Sequence, residues 1–134
     1  MTPDLSAALT ILRREIPDLA GIYLFGSAAA EAMRPDSDID LAFYAGRPLP
    51  RQRVLDLQEA AANALLREVD LIDLASAPTI LQIQVIGEGR LAFAADPDAL
   101  GFFEVRVMRD YFDLKARRAD IEADIVERGR VYAR

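Results

Sequence analysis

Neither cysteine nor histidine occurs in this chain of 134 residues. The first absence excludes disulfides, thiolate metal sites and cysteine nucleophiles. The second removes Ser-His and Cys-His catalysis and any His-ligated zinc. What remains for chemistry is carboxylate, hydroxyl, Lys/Arg and oxygen-bound metal. Positive charge is also short: sixteen Lys/Arg stand against twenty-two Asp/Glu, a net −6. That balance argues against direct nucleic-acid binding through the phosphate backbone. Residues 102–134 hold eight of the sixteen basic groups and seven of the acidic ones, so the acidic excess sits in the first 101 residues. No long apolar run is present, and the start, Met1-Thr2-Pro3-Asp4, is not that of a leader peptide. The expectation is a cytoplasmic protein with no membrane partner.

What the chain does have is enough apolar sequence for a packed core, 52% of its residues, over a length that suits one domain spanning 1–134. Leu5, Leu9, Leu12 and Ile16 share one helical face, and Pro17 stops that helix. Gly21–Phe25 and Ile39–Tyr44 are short, apolar and β-prone, so they read as buried strands. Val54, Leu57, Ala61 and Leu65 recur at helical spacing, predicting a helix over about 51–67. Val69–Leu74 is a third strand and Leu91–Ala94 a fourth. Between them, Leu81, Ile83 and Val85 alternate with Gln82 and Gln84 in a strand pattern, while Ser76, Pro78, Gly87 and Gly89 flank the segment as helix boundaries do. From about Asp98 the pattern is helical, with a break expected near Arg118-Ala119-Asp120. Strands separated by helices predict a small α/β domain with a mixed sheet of about four strands, flanked by helices and closed by a helical C-terminus.

The most informative segment is Leu24-Phe25-Gly26-Ser27, followed ten residues later by Asp38-Ile39-Asp40. Gly26 ends a strand without a Cβ, which lets backbone approach a ligand closely. Ser27 is expected to cap a short helix through Ala28–Ala32, whose start would offer unpaired N–H groups to phosphate oxygens. Asp38 and Asp40 lie two apart at the head of a strand and share a face. Two carboxylates so close repel unless a cation lies between them, and Mg²⁺, held by a few protein oxygens together with substrate phosphates and water, suits that place. Asp-x-Asp alone carries little here, since it occurs at 36/38, 38/40 and 96/98. The combination with Gly-Ser at a strand end, the spacing and a second acidic strand is what is specific.

Gly-Ser, ten residues, Asp-x-Asp resembles the signature of the polymerase-β-like nucleotidyltransferases. The short chain is most similar to the minimal, MNT-type members that act as antitoxins beside HEPN-domain toxins. Leu24–Leu41 carries the likeness best, and Tyr111-Phe112-Asp113-Leu114-Lys115 resembles the final helix of those antitoxins. The resemblance implies the palm-like fold of that superfamily, and it implies a helix over the ambiguous segment after Pro78. It makes Val69–Leu74 the strand that bears the third carboxylate, with Asp70 favoured over Asp73. Asp38, Asp40 and Asp70 would then be the catalytic metal ligands for two Mg²⁺ ions, with Asp70 also helping to take the acceptor's proton. Gly26 and Ser27 would hold the β and γ phosphates of ATP. Arg34 is a weaker candidate for phosphate charge, and Ser37 braces the turn before Asp38.

The implied reaction moves AMP from ATP to a hydroxyl, here a tyrosine of a partner HEPN ribonuclease, silencing the toxin. Two positions depart from the pattern. Many minimal members continue Gly-Ser with Ala-Arg-Gly, whereas this chain has Ala30 at the arginine-like position and Glu31 in place of the glycine. An antitoxin that neutralises by binding alone, with a degenerate nucleotide site, is therefore a second reading. A stand-alone small-molecule nucleotidyltransferase with its site at a homo-oligomer interface is a third. The simplest expectation for the aromatic group Phe102, Phe103, Tyr111 and Phe112 is core or helix packing, with a partner-facing role for part of it as the alternative.

Overall fold

The computed structural model describes residues 4–26 and 38–132, with side chains as far as residue 128. The Ala-rich helix expected over 28–32 lies outside the described residues, as do Ser27, Ala30, Glu31, Arg34 and Ser37. In chain order the elements are α1 (Ser6–Glu15), β1 (Gly21–Phe25), β2 (Ile39–Tyr44), α2 (Arg51–Leu65), β3 (Val69–Asp73), α3 (Thr79–Glu88), β4 (Arg90–Ala94) and α4 (Pro97–Tyr132), with one turn of 3-10 helix at Leu74–Ser76.

The strands form one mixed sheet in the order β3-β2-β1-β4. β1 runs antiparallel to both β2 and β4, whereas β2 and β3 are parallel. Helices cover both faces, so the two central strands read as continuous apolar runs rather than alternating ones. One core lies between the sheet and α1/α2, where Leu12, Ile22, Leu41, Phe43 and Leu57 meet. The other lies between the sheet and α3/α4, where Tyr23, Ala42, Tyr44, Val85 and Phe103 meet. The period of two along β2 decides the rest: Ile39, Leu41 and Phe43 point to α1/α2, leaving 40, 42 and 44 on the α3/α4 side.

Helix boundaries have local causes. The cap of α2 is Leu66 in the left-handed region, φ +55°, with its side chain in solvent. Asp96 caps α4, its Oδ1 accepting from Ala99 N–H at 3.1 Å, and Pro97 takes the first helical position where no N–H is needed. Asp96/Asp98 is thus a helix start and not a second acidic site. Residues 79–88 are helical despite their alternating pattern. The residue turned inward beside Val85 is polar: Gln82 is buried, and its Nε2 donates to Leu74 O at 2.8 Å. The expected break near Arg118-Ala119-Asp120 is corrected: α4 runs through it as one helix of 36 residues. Arg118, Ala119 and Asp120 are all compatible with helix, and no Pro or Gly interrupts the stretch. Among the described residues, no helix is long and apolar enough to cross a membrane.

Candidate active site

Asp40 is the second residue of β2 and sits directly across from Asp70 of β3 in the parallel register. Cross-strand partners in register point to the same face, so both carboxylates lie on the α3/α4 side at one end of the sheet. The side chains approach within hydrogen-bonding reach of one another. Asp38 is exposed just before β2 begins, and its charge also acts on Asp40. Burial, the adjacent Asp70 and then Asp38 push the Asp40 carboxyl up to about 6. An apolar setting and two like charges both disfavour its ionised form. A cation beside Asp40 and Asp70 would reverse that penalty, so the donor set fits a hard, oxygen-seeking ion. Yet among the described residues no three acidic side chains form a ready-made cage. The protein side of the site is a coupled pair, with Asp38 nearby.

Gly26 has a tighter reason to be glycine than phosphate contact alone. Its φ is +70°, and a Cβ placed there would collide with Asp40 Oδ2. The chain therefore turns against the back of the Asp40 carboxylate, fixing it between the β1 end and β3. Phe25, the residue before Gly26, pairs with Asp40 across β1 and β2. Ser27, the other expected phosphate contact, lies outside the described residues.

Asp73 does different work. It is buried, its Oδ2 accepts from Leu49 N–H at 2.8 Å and its Oδ1 from Ala75 N–H at 3.1 Å. It ties the loop before α2 to the turn after β3, as its odd offset from Asp70 requires. Two supporting groups had no distinctive sequence signal. Gln58 on α2 accepts at Oε1 from Leu71 N–H, 2.9 Å away, on the open edge of β3, so it holds the strand next to Asp70. Tyr23 donates to Glu104 Oε1 at 2.6 Å and pins α4 to the sheet centre, with its phenol pushed well above the usual range by burial and by that carboxylate. The aromatic group divides. Phe103 is buried and stacks on Tyr44 with ring centroids 4.0 Å apart, whereas Phe102 and Phe112 are 78% and 66% exposed.

This geometry can be set beside known proteins. Residues 9–98 match the family model described as polymerase beta, nucleotidyltransferase. The chain belongs to that nucleotidyltransferase family. The curated protein adenylyltransferase MntA of Shewanella oneidensis is 36% identical over 118 residues, covering 88% of this chain and 84% of that protein. A crystal structure of a toxin–antitoxin with AMP-PNP superposes with a TM-score of 0.82 at 34% identity, covering 92% of this chain and 98% of that one. Another match is the complex of a tri-AMPylated Shewanella oneidensis HEPN toxin with its MNT antitoxin, with a TM-score of 0.72 at 35% identity, covering 88% and 92%. The four-stranded mixed sheet with its long C-terminal helix is thus the architecture of the minimal nucleotidyltransferases.

Proposed function

We propose that this chain is the antitoxin of a toxin–antitoxin pair, a Mg²⁺-dependent nucleotidyltransferase acting as a single domain that transfers AMP from ATP to a tyrosine hydroxyl of a partner HEPN toxin. The observation that carries the reading is the Asp40–Asp70 pair, in register and charge-coupled, in a chain 36% identical to a protein adenylyltransferase. Asp38, Asp40 and Asp70 would hold the metal, which when bound draws charge from the triphosphate and lowers the barrier to in-line displacement. Asp70, the more exposed of the coupled pair, takes the proton of the acceptor hydroxyl. The acceptor oxygen bonds to the α-phosphorus, the bond to the bridging oxygen breaks, and pyrophosphate leaves. Gly26 keeps the Asp40 carboxylate aimed, and Ser27 would contact the phosphates. An exposed apolar stripe on α4, Phe102, Val105 and Phe112, supports a protein acceptor over a small molecule.

Incubation of the chain with a cognate HEPN protein, ATP and Mg²⁺, read by intact mass, tests the proposal. The expected result is an AMP-sized increment on the toxin that disappears with Asp40→Asn. Binding of the two proteins without any increment overturns it.

The loop sequence, with Ala30 where a phosphate-facing arginine is expected and Glu31 adding a carboxylate, favours a second reading in which the antitoxin silences by binding alone. Under that reading Asp38→Asn leaves neutralisation intact. Under the first it abolishes it.

A further inference from the structure

α4 outruns the body of the protein. At 1.5 Å per residue its 36 residues span about 54 Å. Leu100, Phe103 and Val107 are buried against the sheet side. The same helical face then continues through Tyr111, Leu114, Arg118, Ile121 and Ile125, at alternating steps of three and four. This is the spacing of a coiled-coil seam, on the side of the helix opposite Phe102, Val105 and Phe112. Beyond the body, Leu114, Ile121 and Ile125 are 39%, 59% and 62% exposed. Where the seam leaves the body, Ile80 of α3 with Tyr111, Leu114 and Arg118 lines an open groove of about 270 Å³.

The charges beside the seam are ordered. Lys115 and Arg117 precede its midpoint, and Glu122 and Asp124 follow it. Lys115 and Glu122 lie on one flank, seven residues apart, and Arg117 and Asp124 on the other. We propose that this face pairs with the same face of a second copy, as an antiparallel two-helix coiled coil centred between Ala119 and Asp120. Each layer is then filled. Leu114 of one copy meets Ile125 of the other, and the aliphatic stem of Arg118 lies over Ile121. The flanks match in the same register: Lys115 faces Glu122 and Arg117 faces Asp124, each twice by symmetry. Ile125 and Arg128 of the second copy reach the groove beside Ile80. A parallel pair would instead set Arg118 against Arg118 in the seam. Within one chain Asp124 holds Arg128 at 3.1 Å, but both groups are well exposed, and such a pair exchanges at little cost. The proposal does not depend on AMP transfer, since it uses neither the aspartates of the sheet nor the outer stripe of α4.

Sedimentation equilibrium of the full chain from about 1 to about 200 µM tests it, with circular dichroism to verify that each variant is folded. The wild type is expected to sediment as a dimer at the upper end. R117E and D124R should each weaken association about tenfold or more, because each sets like charges face to face. Mixed together, the two variants should restore it. At one end of that flank the carboxylate introduced by R117E then meets the guanidinium introduced by D124R, and at its other end the native Asp124 of the first copy meets the native Arg117 of the second. In a parallel pair Asp124 faces Gly129, so a dimer unchanged by D124R overturns the antiparallel register. A wild type that stays monomeric throughout the range, or single variants that fail to complement on mixing, overturns the proposal and leaves this face to another protein.

Discussion

Replacing Asp70 by Asn should make the metal-free protein more stable. The folded Asp40 carboxyl titrates near 6 against an ordinary value of 3.8. Between those values the folded chain keeps a proton that the unfolded chain has released. Stability therefore falls as pH rises from about 4 to about 6, and the full penalty persists above that range. A shift of about two units corresponds to about 3 kcal/mol if fully expressed. Asp40 is only partly buried, so solvent screening reduces this to about 1–2 kcal/mol. Burial is the largest cause and Asp70 the next, so Asp70→Asn should recover about 0.5–1 kcal/mol at pH 7.5. The gain should shrink towards pH 4, where Asp40 is protonated in both proteins. Urea denaturation in EDTA at pH 4.5 and 7.5, followed by circular dichroism, reads both quantities. If Asp70 holds Mg²⁺ as proposed, the order should invert in Mg²⁺, because the wild type would gain from metal binding and the variant would lack one of the proposed ligands. A variant less stable than wild type in EDTA at pH 7.5, or one whose gain is equal at both pH values, would refute the account of Asp40 and Asp70 as mutually repelling neighbours.

Gly26→Ala should cost about 1–3 kcal/mol from the left-handed backbone, and should also displace Asp40, so AMP transfer should fall further than thermal stability does. Asp73→Ala should destabilise by about 2–3 kcal/mol in a thermal melt, through the stranded N–H groups of Leu49 and Ala75, while Mg²⁺ affinity measured by calorimetry stays within a few-fold of wild type. Gln58→Leu should cost about 1 kcal/mol and hasten amide exchange at Leu71 before other sheet amides, as hydrogen–deuterium exchange would show.

The strands and the first two helices were legible because their signals are local. Gly21–Phe25 and Ile39–Tyr44 are apolar runs bounded by Gly or loop residues, and they occupy the two central strands, buried on both faces. α3 was ambiguous for a physical reason. Its inward-facing positions include Gln82, whose amide satisfies a backbone carbonyl of the 3-10 turn, so polarity does not mark the outside of that helix. The resemblance supplied what periodicity could not. The break expected near Arg118-Ala119-Asp120 has no helix-ending residue behind it. Arg118 and Ala119 are good helix formers, and a single Asp120 of lower propensity ends nothing without a Gly or a Pro beside it.

The candidate site was legible in its charges and hidden in its supports. Spacing alone predicts that Asp38 and Asp40 share a face, although β2 begins only at Ile39, and the period of two separates Asp70 from Asp73. Which of the last two faces Asp40 depends on strand pairing, a long-range fact set by the parallel register Ile39↔Val69, Asp40↔Asp70. That register in turn needs Leu71 on the α1/α2 side, in the core with Leu41 and Leu57. Slipping β3 by one residue would turn Asp70 into that apolar layer and expose Leu71, a cost of a buried unpaired charge and a lost leucine together. The hydrophobic pattern of β3 is therefore what aims its carboxylate. Asp73, three residues on, falls on the core side and is tolerated there only because Leu49 and Ala75 donate to it. A chain with Asp70 alone exchanged for an uncharged residue would keep the sheet and lose a proposed ligand. A chain with Leu71 made polar would retain every proposed ligand and fail to bring them together.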